Sequence, residues 1–201
     1  MTAASSRLCD VLHTNGPAPD RASAMALYGW LIGDWEMDAE VYADNGVKHT
    51  GHGEIHVGWV LQGRAIQDVW ILPGIFYGTT LRVYDPTLDA WHILWSDPLK
   101  QLYTRQIGRA RGKDIVQEGR ADTGAAIRWS FSEITPNAFR WRGERSFDDG
   151  MSWQLQSEFR ARRVAARESI SERSPDERSD IRGGCAREQS PMSLRSSGLR
   201  L

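Results

Sequence analysis

The chain has 201 residues, a formal net charge of -1 and a pI near 6.5, so it carries no basic field to hold a phosphate backbone and nucleic acid is excluded as an expected partner. That length suffices for one well-buried domain with a tail. Its two cysteines, Cys9 and Cys185, fall in the two least patterned segments, which argues against a disulfide framework, a redox pair or a zinc knuckle and fits a reducing, cytoplasmic setting.

The N-terminus lacks a basic start followed by an apolar run, and no stretch approaches the roughly 18 apolar residues of a membrane span, so no membrane partner is expected. Residues 1–19, rich in Ser, Ala, Gly and Pro without a period, read as a flexible arm. Asp20 offers an N-cap, and Ala24, Leu27 or Tyr28, and Leu31 recur at helical spacing, which predicts a short amphipathic helix over about residues 21–31. Its apolar face fits one open end of a barrel as a plug.

From Trp35 the period becomes two. Trp35, Met37, Ala39 and Val41 alternate with Glu36, Asp38 and Glu40, the mark of a strand with one buried face. Asp44-Asn45-Gly46 supplies a hairpin turn. The second strand, about residues 49–60, turns Ile55, Val57 and Trp59 inward, and Gln62-Gly63 ends it. The third, residues 65–72, is apolar on both sides: either Gln67, Val69 and Ile71 or Ile66, Asp68 and Trp70 face in. Tyr77, Thr79, Leu81 and Val83 are expected to line the fourth, and Trp91, Ile93 and Trp95 the fifth. Leu102, Thr104 and Gln106 follow on the sixth, and Ile115, Gln117 and Gly119 on the seventh. The eighth contributes Ile127, Trp129 and Phe131, the ninth Phe139, Trp141, Gly143 and Arg145, and the tenth Trp153, Leu155 and Phe159.

Ten strands joined by short turns describe an all-β, antiparallel up-and-down meander. Closure removes its two unpaired edges, and at this strand number leaves a lumen for a small ligand. The expected fold is therefore a ten-stranded lipocalin-like barrel over residues 20–164, with the helix plugging one end. After Val164 no aromatic residue recurs and Arg, Glu, Asp and Ser dominate, so residues 165–201 are expected to be a disordered low-complexity tail; the run Ser174 to Gly183 resembles translated repetitive DNA.

Three motifs carry a family resemblance: Leu31-Ile32-Gly33-Asp34-Trp35-Glu36, the segment from Trp59 through Gly63 to Asp68, and the Tyr84-Asp85-Pro86 turn before an aromatic strand. Over residues 31–164 the chain resembles an uncharacterised family of bacterial lipocalin-like domains, distant relatives of the calycins, and the resemblance implies the fold without an activity. The opening Gly-x-Trp and the strand count are also similar to nitrobindins, which bind haem through a histidine near the end of the barrel. Here no histidine follows His92, so haem ligation of that type is disfavoured and no cofactor is expected.

The expected inward face is not wholly apolar. Thr79, Thr104, Gln106, Gln117, Glu133, Arg145 and Ser157 share it with Trp95 and Trp129, and Gln67 joins them if the third strand takes that facing. Such a mix within aromatic walls suits a ligand pocket, whereas buried water would satisfy the same groups without one. If Thr135 opposes Phe139, Trp129 lies opposite Arg145, which makes Arg145 the expected anchor for an anionic group. His52, Glu54 and His56 share a strand face but span too far to hold one ion together, and read as a polar exterior, as does His92. Asp97 and Glu133 are candidate general bases, with turn capping as the plainer role. The expected partner is a small, partly apolar, anionic molecule, with a homodimer left open. The alternative is an acid/base enzyme on the same fold, such as an isomerase, cyclase or decarboxylase.

Overall fold

A computed structural model describes residues 7–43 and 45–165. The expected disordered tail from residue 165, and with it Cys185, lies outside the described residues apart from Ala165, as do residues 1–6 and Asp44.

The alternating sequence folds as its period requires. Ten long strands follow one another: β2 (Gly33–Tyr42), β3 (Lys48–Val60), β4 (Ala65–Leu72), β5 (Phe76–Asp85), β6 (Ala90–Asp97), β7 (Leu102–Arg111), β8 (Asp114–Arg120), β9 (Ala126–Ser132), β10 (Ala138–Ser146) and β11 (Gln154–Arg163). Each pairs antiparallel with the next, and β11 pairs with β2, so the meander closes into a barrel without a free edge. The residues that alternate inward on β2, Trp35, Met37 and Ala39, are all buried. Among the described residues no helix is long and apolar enough to cross a membrane.

The segment expected to be a loose arm is ordered from residue 7. It forms a helix, α1 (Arg7–Leu12), and a two-residue strand, β1 (His13–Thr14), paired antiparallel with Val60 and Trp59 at the end of β3. Ala18 N–H donates to Gly63 O at 2.9 Å, strapping the segment across the β3–β4 turn. The second helix, α2 (Ala22–Gly29), follows a 3-10 turn at Pro19–Arg21. Asp20 does not cap it: Arg21 stands at the N-cap without a side-chain bond, and the Asp20 carboxylate accepts instead from Arg64 at 2.9 Å. Met25, Tyr28 and Leu31 are fully buried, each removal from water contributing roughly 1.5–3 kcal/mol. Tyr28 meets Trp91 edge-on at 4.9 Å and Phe131 at 6.2 Å, so the helix closes one end of the barrel.

At that same end the first and last strands are stapled. Arg163, the last residue of β11, lies opposite Trp35 and stacks over its indole at 4.0 Å. Its guanidinium donates to the carbonyls of Ile32, Trp30 and Pro136 at 2.6, 2.6 and 2.7 Å. Gly33 is required beneath it, because a Cβ there would meet Arg163 Nη1 at 2.7 Å and its φ of 119° is hostile to other residues. Trp35 Nε1–H in turn donates to Leu31 O at 2.8 Å. The Gly-Asp-Trp opening is thus the receiving half of a closure whose other half lies 130 residues away.

Arg163→Ala removes three charge-assisted bonds and one stacked cation, and is expected to lower unfolding stability by on the order of 2 kcal/mol in urea titration with the far-ultraviolet β signature retained. A midpoint unchanged from the parent protein would contradict this account of closure.

Candidate functional site

The strand hairpins at the end opposite α2 surround the mouth of a cavity of about 270 Å³ inside the barrel. Alternation on each strand brings aromatic rings to its wall, and these form a belt closed on itself. Trp95 meets Trp129 at 6.0 Å, Trp129 meets Trp141 at 5.6 Å, and Trp141 stacks on Phe159 at 4.7 Å. Phe159 then meets Phe76 at 5.8 Å, and Phe76 returns to Trp95 at 6.1 Å. Gly143 makes the belt possible: it lies opposite Trp129, and a Cβ on it would come within 2.7 Å of the Trp141 ring.

Toward the helix end the interior turns polar. Asp68 on β4 and Arg82 on β5 form an ion pair whose side chains are 0% and 2% exposed. Asp68 also accepts the backbone N–H of Thr80 at 2.9 Å. The Arg82 guanidinium lies over the rings of Tyr28 at 5.4 Å and Phe131 at 5.8 Å, so the plug helix underlies the cavity's inner end. Gln117 Nε2 donates to the Tyr28 hydroxyl at 3.0 Å, and burial pushes the Tyr28 phenol up to about 12.

Of the residues singled out from sequence, Trp95, Thr104, Trp129, Arg145, Ser157 and Asp97 line this cavity. Gln106 and Gln117 are buried inside the barrel, 1% and 0% exposed, but deeper than the cavity lining. Gln67 and Thr79 are corrected to the outer face. On β4 the buried positions are Ala65, Ile66, Asp68, Trp70 and Leu72, and the β4–β5 register pairs Asp68 with Thr80, which turns Thr79 outward beside Gln67 at 3.2 Å. The whole assignment for β5 moves with it: Phe76, Thr80 and Arg82 point inward in place of Tyr77, Thr79 and Leu81.

Arg145 lies opposite Ile127 instead of Trp129, because the β9–β10 register is displaced by two residues from the one expected. Glu133 takes a φ of 53° and Thr135 Oγ1 accepts the N–H of Ala138 at 2.9 Å, placing Arg140 opposite Ser132. Arg145 consequently sits at the mouth, its guanidinium 5.9 Å from the Phe147 ring. Glu133 is exposed and binds Arg140 outside the barrel at 3.1 Å, so it leaves the set of candidate bases. Asp97 is buried, but its Oδ1 caps a turn by accepting Leu99 N–H at 3.0 Å and Lys100 N–H at 3.3 Å.

On the outside, His52 bonds Asp38 at 2.7 Å, His56 bonds Asp34 at 2.8 Å, and His92 bonds Asp85 at 3.1 Å. Among the described residues no three His, Cys, Asp or Glu side chains gather to hold a metal. Of the two facings the sequence left open on β4, the structure takes the one that buries Ile66, Asp68 and Trp70, whereas Thr80 and Arg82 were missed. The signal was available in the short Pro73-Gly74 hairpin, which fixes Leu72 opposite Phe76 and so ties the facing of Arg82 to that of Trp70.

No protein-family model matches the sequence, and no curated protein sequence matches it. Solved structures that share its fold include the following two. Rv2717c from M. tuberculosis is 15% identical with a TM-score of 0.52, covering 74% of this chain and 99% of its own. The S-type phycobiliprotein lyase CPES from Guillardia theta is 13% identical with a TM-score of 0.54, covering 75% of this chain and 99% of its own. At these identities the likeness is one of fold alone, a closed antiparallel barrel.

Tyr28 sets a pH dependence. Its phenol keeps its proton to about pH 12 in the folded chain, whereas an unfolded tyrosine releases it near 10. Stability from this group is complete below pH 10 and falls as pH rises toward 12, by up to about 3 kcal/mol. Tyr28→Phe is therefore expected to flatten the alkaline limb of a stability-versus-pH curve measured by urea unfolding. Parallel limbs for the two proteins would refute the assignment.

Proposed function

We propose that this barrel is a binding protein that holds one small, partly apolar molecule in its lumen. The observation that carries the reading is the closed aromatic belt around an open-mouthed cavity of about 270 Å³. Ligand pockets run from about 300 to 1,000 Å³, so the occupant is compact, of the size of one or two fused rings. Burial of such rings against Trp95, Trp129, Trp141 and Phe159 supplies affinity, at roughly 25 cal/mol per Å² of apolar surface removed from water. Lys100 and Arg145 at the mouth favour an anionic group on the outer end of the ligand. The phycobiliprotein lyase supports a fold suited to handling small molecules, and at 13% identity its reaction is not carried over.

Native mass spectrometry of the purified protein is expected to show a retained small-molecule mass, and 2-naphthoate is expected to quench tryptophan fluorescence saturably. Ser157→Trp, which fills the lumen from β11, should weaken that binding at least about tenfold. Arg145→Ala should weaken 2-naphthoate more than uncharged naphthalene. Quenching that is identical in Ser157→Trp and the parent protein would overturn the lumen as the site.

A further inference from the structure

The outer wall of the barrel has two unlike halves. On β10, β11 and β2 the outward side chains are charged and linked across strands: Arg140 binds Glu158 at 2.6 Å, Arg160 binds Glu158 at 3.1 Å, and Arg162 binds Asp38 at 2.9 Å. Over β4 to β7 the same alternation presents hydrocarbon. Ile71 lies opposite Tyr77 and Leu81 opposite Leu94, with Val69 and Val83 on the same face of β4 and β5. Tyr77, Leu94 and Tyr103 are 52%, 39% and 47% exposed. Thr79 and Ser96, which lie opposite one another among them, are polar but uncharged.

We propose that this face is where two copies of the chain pair, wall against wall. Strands spaced about 4.8 Å and running about 24 Å make a four-strand face of roughly 450 Å² in projection. Folded monomers rarely expose a contiguous apolar patch beyond a few hundred Å². Specific dimers bury about 800 Å² on each partner, so the apolar face with its two borders supports a weak dimer with a dissociation constant on the order of 10 μM.

Two features favour a second copy as the occupant. The middle of the face holds no formal charge, so setting it against itself opposes no like charges. Its borders carry opposite charges. On the β7 side Arg105 is exposed and reaches only His92, Nη2 to Nδ1 at 3.4 Å, with no carboxylate partner among the described residues. On the β3 side Glu54 is exposed and meets His56 of its own strand at 3.5 Å. A two-fold axis along the strands, between β5 and β6, lays β7 of each copy over β4 of the other and turns the Arg105 border toward the Glu54 border, twice over. Both cavity mouths then open on the same side of the dimer, clear of the contact.

The test is sedimentation-velocity ultracentrifugation of the full chain from about 1 to about 300 μM, with circular dichroism to verify folding. The parent protein is expected to pass from monomer to dimer across that range. Leu94→Arg and Arg105→Glu are each expected to weaken pairing at least about tenfold, and combining Arg105→Glu with Glu54→Arg to bring it back to within about threefold of the parent. Arg142→Ala, on the charged half, should leave it unchanged. Arg105 and Glu54 are exposed, so the charge exchange decides the matter even if Leu94→Arg does not fold. A monomer at every concentration overturns the proposal, leaving the face to a partner of different sequence. Dimerisation weakened by Arg142→Ala and untouched by Leu94→Arg and Arg105→Glu overturns it in favour of the charged half. A double variant no better than Arg105→Glu alone overturns the two-fold arrangement.

Discussion

A meander of ten strands becomes a barrel only when its last strand finds its first, and in this chain that meeting rests on Arg163 and Trp35. The pairing of β11 with β2 closes the largest loop the domain contains, so its entropic cost must be met by contacts made at the seam itself. Arg163 concentrates them: one guanidinium binds carbonyls from the end of α2, from the strand entry and from the β9–β10 turn, while its flat face covers the Trp35 indole. Three separate segments are thereby held at one end, and the hairpins at the other end are left to frame an opening.

That asymmetry sets the interior. At the sealed end the helix and the turn after it deliver Met25, Tyr28 and Leu31 into the barrel, and with Trp35, Trp91 and Phe131 they build an ordinary close-packed core. The Asp68 and Arg82 pair lies immediately above, partly resting on the Tyr28 ring. A buried pair of this kind adds little net stability, since desolvation consumes most of the attraction, yet removal of either partner leaves an unpaired charge in a dry site. The pair therefore acts as a boundary: it ends the apolar core below and begins the polar lining of the cavity above.

Most of the architecture was legible because a period of two cannot be mistaken over ten strands, and because Gly, Pro, Asn and Asp mark almost every turn. The strand count, the closure, the helix at one end and the inward facing of Trp35, Trp95, Trp129 and Phe159 all follow from that pattern. The site was less legible for a physical reason. Alternation reports facing only where one side is apolar, and on β4 and β5 it fails: Asp68, Thr80 and Arg82 are buried while Val69, Leu81 and Val83 are half exposed. Hydrophobicity read alone turns β5 by one residue, which exchanges Thr79 for Thr80 and hides the ion pair. Arg145 was misplaced differently, since its register depends on a left-handed Glu133 and a Thr135 turn that no hydrophobic pattern encodes.

The residues that defeat the pattern are also those that distinguish this lumen from a packed core. Two aliphatic side chains at positions 68 and 82 would satisfy the barrel at least as well, by the general behaviour of buried ion pairs. Trp70 and Thr104 could likewise be filled by rings and methyls with no polar atom to accommodate. What the polar set supplies is a difference along the barrel axis: hydrocarbon around the middle, an ion pair toward the closed end, and cations with acidic neighbours at the mouth. An apolar belt alone would hold any ring of suitable size in either orientation. The Asp68 and Arg82 pair breaks that symmetry at one end, with two side chains whose burial the fold alone does not demand.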